Sequence, residues 1–412
     1  MTPPFPPSES RPSTSPSRSP SRREFLQTLG MGAAAVGLFP GGNFAFGADD
    51  AHVLPEGKRL IVRSASPLNA EPPLEQLFGH WITPVESFYI RSHGAVPAVN
   101  LDNFILSVEG LVDRPLRLTV AELTDRFPSV DETATLTCAG NRRNEFTGKK
   151  ISGVPWGAGA IGNARWSGVS LRAVLRHCGV RAEAKHVWFE GADQIIDKAD
   201  TYPFGGSIPL EKALGGNDLA GGVVLATQMN DRPLTASHGA PLRTVVPGYI
   251  GARSVKWLSK IVVSDQPSPN HYLALAYKLI TEETPATLAA ASPIYEYALN
   301  SVICQPKADV THPVGKVRVR GFALPNGRVG RSLKRVEVSA DEGNTWKEAT
   351  ITSPQRDFCW SHWSADVEIT QRTTHLLVRA TDSSGETQPR EMPWNLKGYQ
   401  YNAWHQVNVK PS

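Results

Sequence analysis

From about residue 290 onward the chain alternates apolar and polar residues in twos, with turn residues between the runs: "GKVRVRGFAL", "LKRVEVSADEGNTW", "WSADVEI" and "HLLVRATDSSG". A period of two puts every second side chain on one face, so each run reads as a strand half-buried against a second sheet. Several such runs with turn signals between them specify a β-sandwich. Between about 101 and 265 the texture is different. Apolar strands such as "FILSVEGLV", "HVWFEGA" and "GGVVLATQM" are interspersed with helical stretches such as "SLRAVLRHCG", which implies a mixed α+β domain. The stretch joining the two, "SDQPSPNHYLALAYKLITEETPATLAAASP", has the prolines of a linker. Residues 49 to about 100 are rich in loops and prolines and are expected to wrap the domain that follows.

The N-terminus limits the chemistry. A Pro/Ser-rich leader is followed by Ser21-Arg22-Arg23-Glu24-Phe25-Leu26, a modestly apolar segment and small residues around Ala45 to Ala48. That order reads as a twin-arginine signal peptide over residues 1–48, hence a periplasmic protein. Since this route carries folded proteins, a cofactor inserted before export is expected. The formal charge is +4; four arginines and two glutamates precede residue 48, leaving about +2 and no case for a nucleic-acid binder. No later apolar run reaches spanning length, so no membrane partner is expected. The four cysteines, Cys138, Cys178, Cys304 and Cys359, include no close pair. A CxxC zinc site, a CxxCH haem attachment and a dense disulfide framework are excluded. Cys178 ends an amphipathic helix before Gly179 and reads as a buried free thiol. No G-x-G-x-x-G or phosphate-loop signature is present.

Cys138 stands in a different setting, "TATLTCAGNRRNEF", where a β-branched run ends on the thiol and two arginines follow a Gly-Asn turn. A thiol among guanidinium groups is readily a thiolate, which is a nucleophile or a soft metal ligand. The turn places Arg142 and Arg143 at a loop mouth above the strand, where their charge must be neutralised or must serve an anion.

The segment "TCAGNRRNEF" resembles the cofactor-cysteine segment of the sulfite oxidase family of molybdenum enzymes. The likeness continues through "FYIRSHGAVP", "GAGAIGNARWSGVSLRAVL", "FEGAD", "GGSIPLEKAL", "MNDRPLTASHGAPLRTVVPGYIGARSVKWL", "EVSADEGNTW" and "WNLKGYQYNAWHQV". It implies a molybdopterin-binding catalytic domain over 49–285 and an immunoglobulin-like dimerisation domain over 286–412. It also implies molybdenum with a pyranopterin as cofactor and oxidation of sulfite to sulfate. By the same resemblance Cys138 is the metal ligand, while Arg91, Arg143 and Trp156 form the oxyanion pocket. Phe88, His93, Asp193, His238, Arg243, Arg253, Ser254 and Lys256 hold the pterin and its phosphate. Tyr277 stands beside the metal. Lys397, in "WNLKG", replaces an arginine that often reaches the substrate; it keeps the charge and loses the bidentate fork. Sulfite is a small anion, so fixed planar cations suit it, and burying Arg91 with Arg143 implies an anionic guest.

No haem is expected in this chain, so electrons pass to an external acceptor, expected to be a c-type cytochrome, in a homodimer or a heteromer with that cytochrome. The competing readings are a molybdopterin-dependent methionine sulfoxide reductase and, in a different class, a secreted Ig-like binding protein.

Overall fold

A computed structural model describes residues 51–149, 151–197, 200–215 and 221–412. The twin-arginine leader lies outside these residues.

Among the described residues the longest helix, Leu171–Cys178, is built as its sequence dictates. Leu171, Val174, Leu175 and Cys178 recur on one face and all four are buried. The Ser170 side chain caps the first turn by accepting from the Ala173 amide, and Gly179, at φ 72°, closes the last turn through the Leu175 and Arg176 carbonyls. This helix packs its apolar face into a core with Phe104, Leu106, Phe189, Ile261 and their neighbours. Around that core lie two sheets. One is five-stranded and mixed, in the order Gly205–Pro209, His186–Gly191, Leu258–Ser264, Ile105–Gly110 and Leu116–Thr119; only Leu258–Ser264 and Ile105–Gly110 run parallel. The other is antiparallel, in the order Arg232–Pro233, Val224–Met229, Ile161–Ser170 and Ser129–Thr137, with Arg243–Val245 also paired to Val224–Met229. Cys138 is the residue that leaves the end of Ser129–Thr137.

The C-terminal region is the sandwich its period-two runs specify. Asn300–Gln305, Gly315–Leu324, Ser361–Ile369 and Thr350–Ile351 form one antiparallel sheet; Lys347–Glu348, Leu333–Ser339, His375–Asp382 and His405–Asn408 form the other. Trp363, Val319, Val336, Leu376 and Val378 fill the core between them. The whole is an α+β fold followed by a sandwich, and the two are fused along a shared cluster in which Leu77, Ala139 and Ile250 pack with Val302, Phe322 and Trp360.

Two stretches differ from the sequence reading. Residues 51 to 71 form a three-stranded antiparallel sheet, Ala51–Val53, Arg59–Ala65 and Leu68–Glu71. The runs are too short, and too interrupted by Pro55, Gly57 and Pro67, to show a clear period. The proline-rich stretch around 270 is more than a linker: Tyr272, Leu273 and Tyr277 are buried in it.

Candidate active site

Cys138 lies at the wall of a cavity that opens to solvent. The Cys138 amide donates to the Ala160 carbonyl at 2.9 Å, and the turn closes through Asn141 N–H to the Cys138 carbonyl at 3.0 Å, which holds the thiol at the strand end. Three further segments complete the walls. Ile90 bridges Ala70 through two backbone hydrogen bonds and so fixes the run Phe88 to His93. The loop from Ser237 to Arg243 and the segment Gly251 to Trp257 close one side, and Tyr277 closes another.

The charge is one-sided. Among the described residues, Arg91, Arg243 and Lys256 line the cavity against a single carboxylate, Asp193. Each cation is held by uncharged acceptors. Arg91 donates to Asn69 Oδ1 at 3.1 Å and to His93 Nε2 at 2.7 Å. Arg243 donates to the carbonyls of His238 (3.0 Å) and Ser254 (3.2 Å) and lies over the Trp166 ring. Lys256 donates to Ser92 Oγ and the Ser237 carbonyl, both at 2.9 Å. Behind this layer the fully buried Lys58 donates to His238 Nε2 at 2.8 Å.

The consequences are read in the titrating groups. Burial of the ammonium, with Arg243 adding to it, pushes Lys256 down to about 7; what surface the side chain keeps opens on the cavity. Burial pushes Lys58 down to about 8 and Arg243 down to about 10. His93 is held well below its usual value by burial and then Arg91, and His238 by burial and then Lys58. Both rings are therefore neutral, as an Nε2 that accepts from a cation requires. The Tyr277 hydroxyl lies 2.9 Å from the same His93 nitrogen, and burial raises its phenol. Tyr277 (φ 54°) and Trp257 (φ 51°) both hold left-handed backbone conformations, an unfavourable choice for bulky residues that is retained where a site demands it.

Two family descriptions match this chain: "oxidoreductase molybdopterin binding domain" over residues 93–272 and "Mo-co oxidoreductase dimerisation domain" over 291–412. The sulfite oxidase of Gallus gallus is 40% identical over 365 residues, which cover 85% of this chain and 78% of that protein. This chain belongs to the sulfite oxidase family. The mitochondrial sulfite oxidase of Drosophila melanogaster is 39% identical, over 86% of this chain and 64% of its own length. A nitrate reductase of Hordeum vulgare is 38% identical, over 83% of this chain and 41% of its own. Among solved structures, the sulfane dehydrogenase SoxCD from Paracoccus pantotrophus superposes with a TM-score of 0.71 at 26% identity, covering 92% of this chain and 97% of that one.

The cofactor of the sulfite oxidase family is molybdenum bound to molybdopterin, and the cavity fits it. Among the described residues one thiol sits at the wall, three cations face one carboxylate, and behind the wall Arg143 Nε and Trp156 Nε1 are buried donors without a partner. Cations buried in such excess call for an anionic guest.

Of the residues the sequence singles out, Phe88, Arg91, His93, Cys138, Asp193, His238, Arg243, Ser254, Lys256 and Tyr277 meet in this cavity. Arg143 and Trp156 stand behind it rather than lining it. Arg143 is buried, donates to the Val154 carbonyl at 3.1 Å and lies over the Tyr399 ring; Trp156 packs edge-on to Tyr89. Arg142 is not at a loop mouth. It is fully buried, donates to both oxygens of Glu145 (2.9 and 2.6 Å) and reaches Asn300 Oδ1 and the Ala403 carbonyl in the sandwich. Two further placements differ from the expectation. Arg253 is turned away, its guanidinium spent on the Ile294 and Tyr272 carbonyls. Lys397 pairs with Glu283 at 3.2 Å and does not line the cavity, because its ammonium finds a carboxylate at the surface first. Sequence reasoning missed Lys58, Tyr89, Ser92, Phe204, Ser237 and Trp257. Most adjoin a motif residue; Lys58 is betrayed by no local pattern.

Proposed function

We propose that this protein oxidises sulfite to sulfate at a molybdenum-molybdopterin centre and passes the electrons singly to an external acceptor, a c-type cytochrome. The observation that carries the reading is the cation-lined cavity with one thiol at its wall. Cys138 holds the metal as a soft thiolate donor. Arg243, Lys256, His238 and Ser254 hold the phosphate of the pterin, and Phe88, His93 and Asp193 flank the pterin itself. Bound there, the cofactor supplies two-electron oxygen-atom chemistry. The chain supplies charge and orientation: Arg91 at the cavity wall aligns the anion, the buried Arg143 charge and the Trp156 donor back it from behind the wall, and Tyr277 with neutral His93 handles a proton at the Tyr277 hydroxyl. Overall, sulfite and water give sulfate, two protons and two electrons, and two one-electron acceptors take the electrons.

The sandwich supports a dimer or a heteromer with the cytochrome, and the twin-arginine pattern supports a periplasmic location. The deciding experiment measures turnover of sulfite with ferricyanide and with cytochrome c, against methionine sulfoxide and nitrate with a reduced dye. Sulfite-dependent reduction that disappears in Cys138→Ser is expected. Turnover of methionine sulfoxide or nitrate alone would overturn the reading, and so would full activity in the serine variant.

A further inference from the structure

Arg143 poses a physical problem that its neighbours solve. It is 6% exposed, one of its nitrogens is spent on the Val154 carbonyl, and its Nε has no partner. A carboxylate beside it would neutralise the charge that draws an anion toward the cavity. The structure instead sets the face of an aromatic ring there. The Arg143 guanidinium carbon lies 5.3 Å from the centroid of Tyr399, and Tyr399 in turn stacks on Tyr277 at 5.1 Å between centroids and 19° between planes. Cation, ring and ring form one column, and its last member closes the cavity. A ring face attracts a guanidinium through its quadrupole and consumes no hydrogen bond.

The backbone that carries Tyr399 is built to hold it still. The Tyr399 amide donates to Asn395 Oδ1 at 2.9 Å, and Asn395 Nδ2 returns a bond to the Tyr399 carbonyl at 3.0 Å. On one side Leu396 N–H reaches the Ile280 carbonyl, three residues past Tyr277; on the other, Gln400 N–H reaches the Ala139 carbonyl, next to Cys138. Gly398, at φ 59°, lets the turn approach so closely that a Cβ there would lie 2.9 Å from Arg143 Cγ.

We propose that Tyr399 is a positioning residue for the oxyanion: its ring aligns Arg143 and Tyr277 from the C-terminal half of the chain and leaves the Arg143 charge unneutralised behind the cavity wall. This rests on the sulfite reading above for the identity of the anion. Three proteins test it: the molybdenum-loaded wild type, Tyr399→Leu, which removes the ring, and Tyr399→Phe, which keeps it. In Tyr399→Leu the KM for sulfite and the Kd for sulfate, measured by calorimetry, are each expected to rise about tenfold. There kcat falls less than KM rises, and molybdenum content and melting temperature stay at the wild-type level. Tyr399→Phe is expected to restore most of the lost affinity. A leucine variant with wild-type KM and Kd overturns the proposal. So does a phenylalanine variant as impaired as the leucine one, or a loss that tracks molybdenum content. A wild type inactive on sulfite retires the sulfite reading alone, because the sulfate affinities still decide the role of the ring; a wild type that binds no sulfate overturns the role itself.

Discussion

Single residues set the electrostatics of this site, and glycine positions show how tightly. A Cβ on Gly140 would lie 2.5 Å from Arg143 Nη2, and one on Gly153 would lie 2.3 Å from Nη1. The guanidinium therefore sits in a cradle with no room for a methyl group. Gly140→Ala is expected to displace Arg143 and raise the KM for sulfite at least about tenfold, with kcat falling less, as steady-state kinetics would show. Lys256 gives a pH prediction. Its folded value of about 7 lies below the ordinary 10.5. Between those values the unfolded chain binds a proton that the folded chain does not, so stability rises with pH through that window. Below about 7 both states are protonated and the penalty is constant. The melting temperature of cofactor-free protein is expected to climb from about pH 7 upward, and Lys256→Met should flatten the climb.

At the scale of elements, the turn Asn141 to Glu145 ties the catalytic half to the sandwich through Arg142. This residue adopts φ 66° and spends its donors on Glu145, Asn300 and the Ala403 carbonyl. Removing a buried, fully paired guanidinium strands its partners. Arg142→Met is expected to cost about 3–5 kcal/mol in urea unfolding. The same turn shows what a sequence makes legible. The helix Leu171–Cys178, the sandwich strands and the strand leading to Cys138 were readable because their period, caps and turn residues are local. The inward direction of Arg142 was not, since its partners lie 158 and 261 residues away. The same reason hid the burial of Tyr272 and Leu273 within a proline-rich stretch and the pairing of Lys397 with Glu283. Motif order brought ten of the named residues to one cavity, while their orientation depended on long-range contacts that no window of sequence contains.

At the scale of the whole molecule, the two halves share one apolar cluster and one site. Purified protein from cofactor-competent cells is expected to hold about one molybdenum per chain by mass spectrometry. A truncation ending near residue 290 should retain far less, since it bares Leu77, Ile250 and Ala139, the last of which lines the cavity. That sharing makes the sandwich side of the chain part of the reaction chamber as well as a packing partner. The thiol comes from Cys138 at a strand end of the α+β half, and the ring behind Arg143 comes from Tyr399, so neither half alone presents a finished anion pocket.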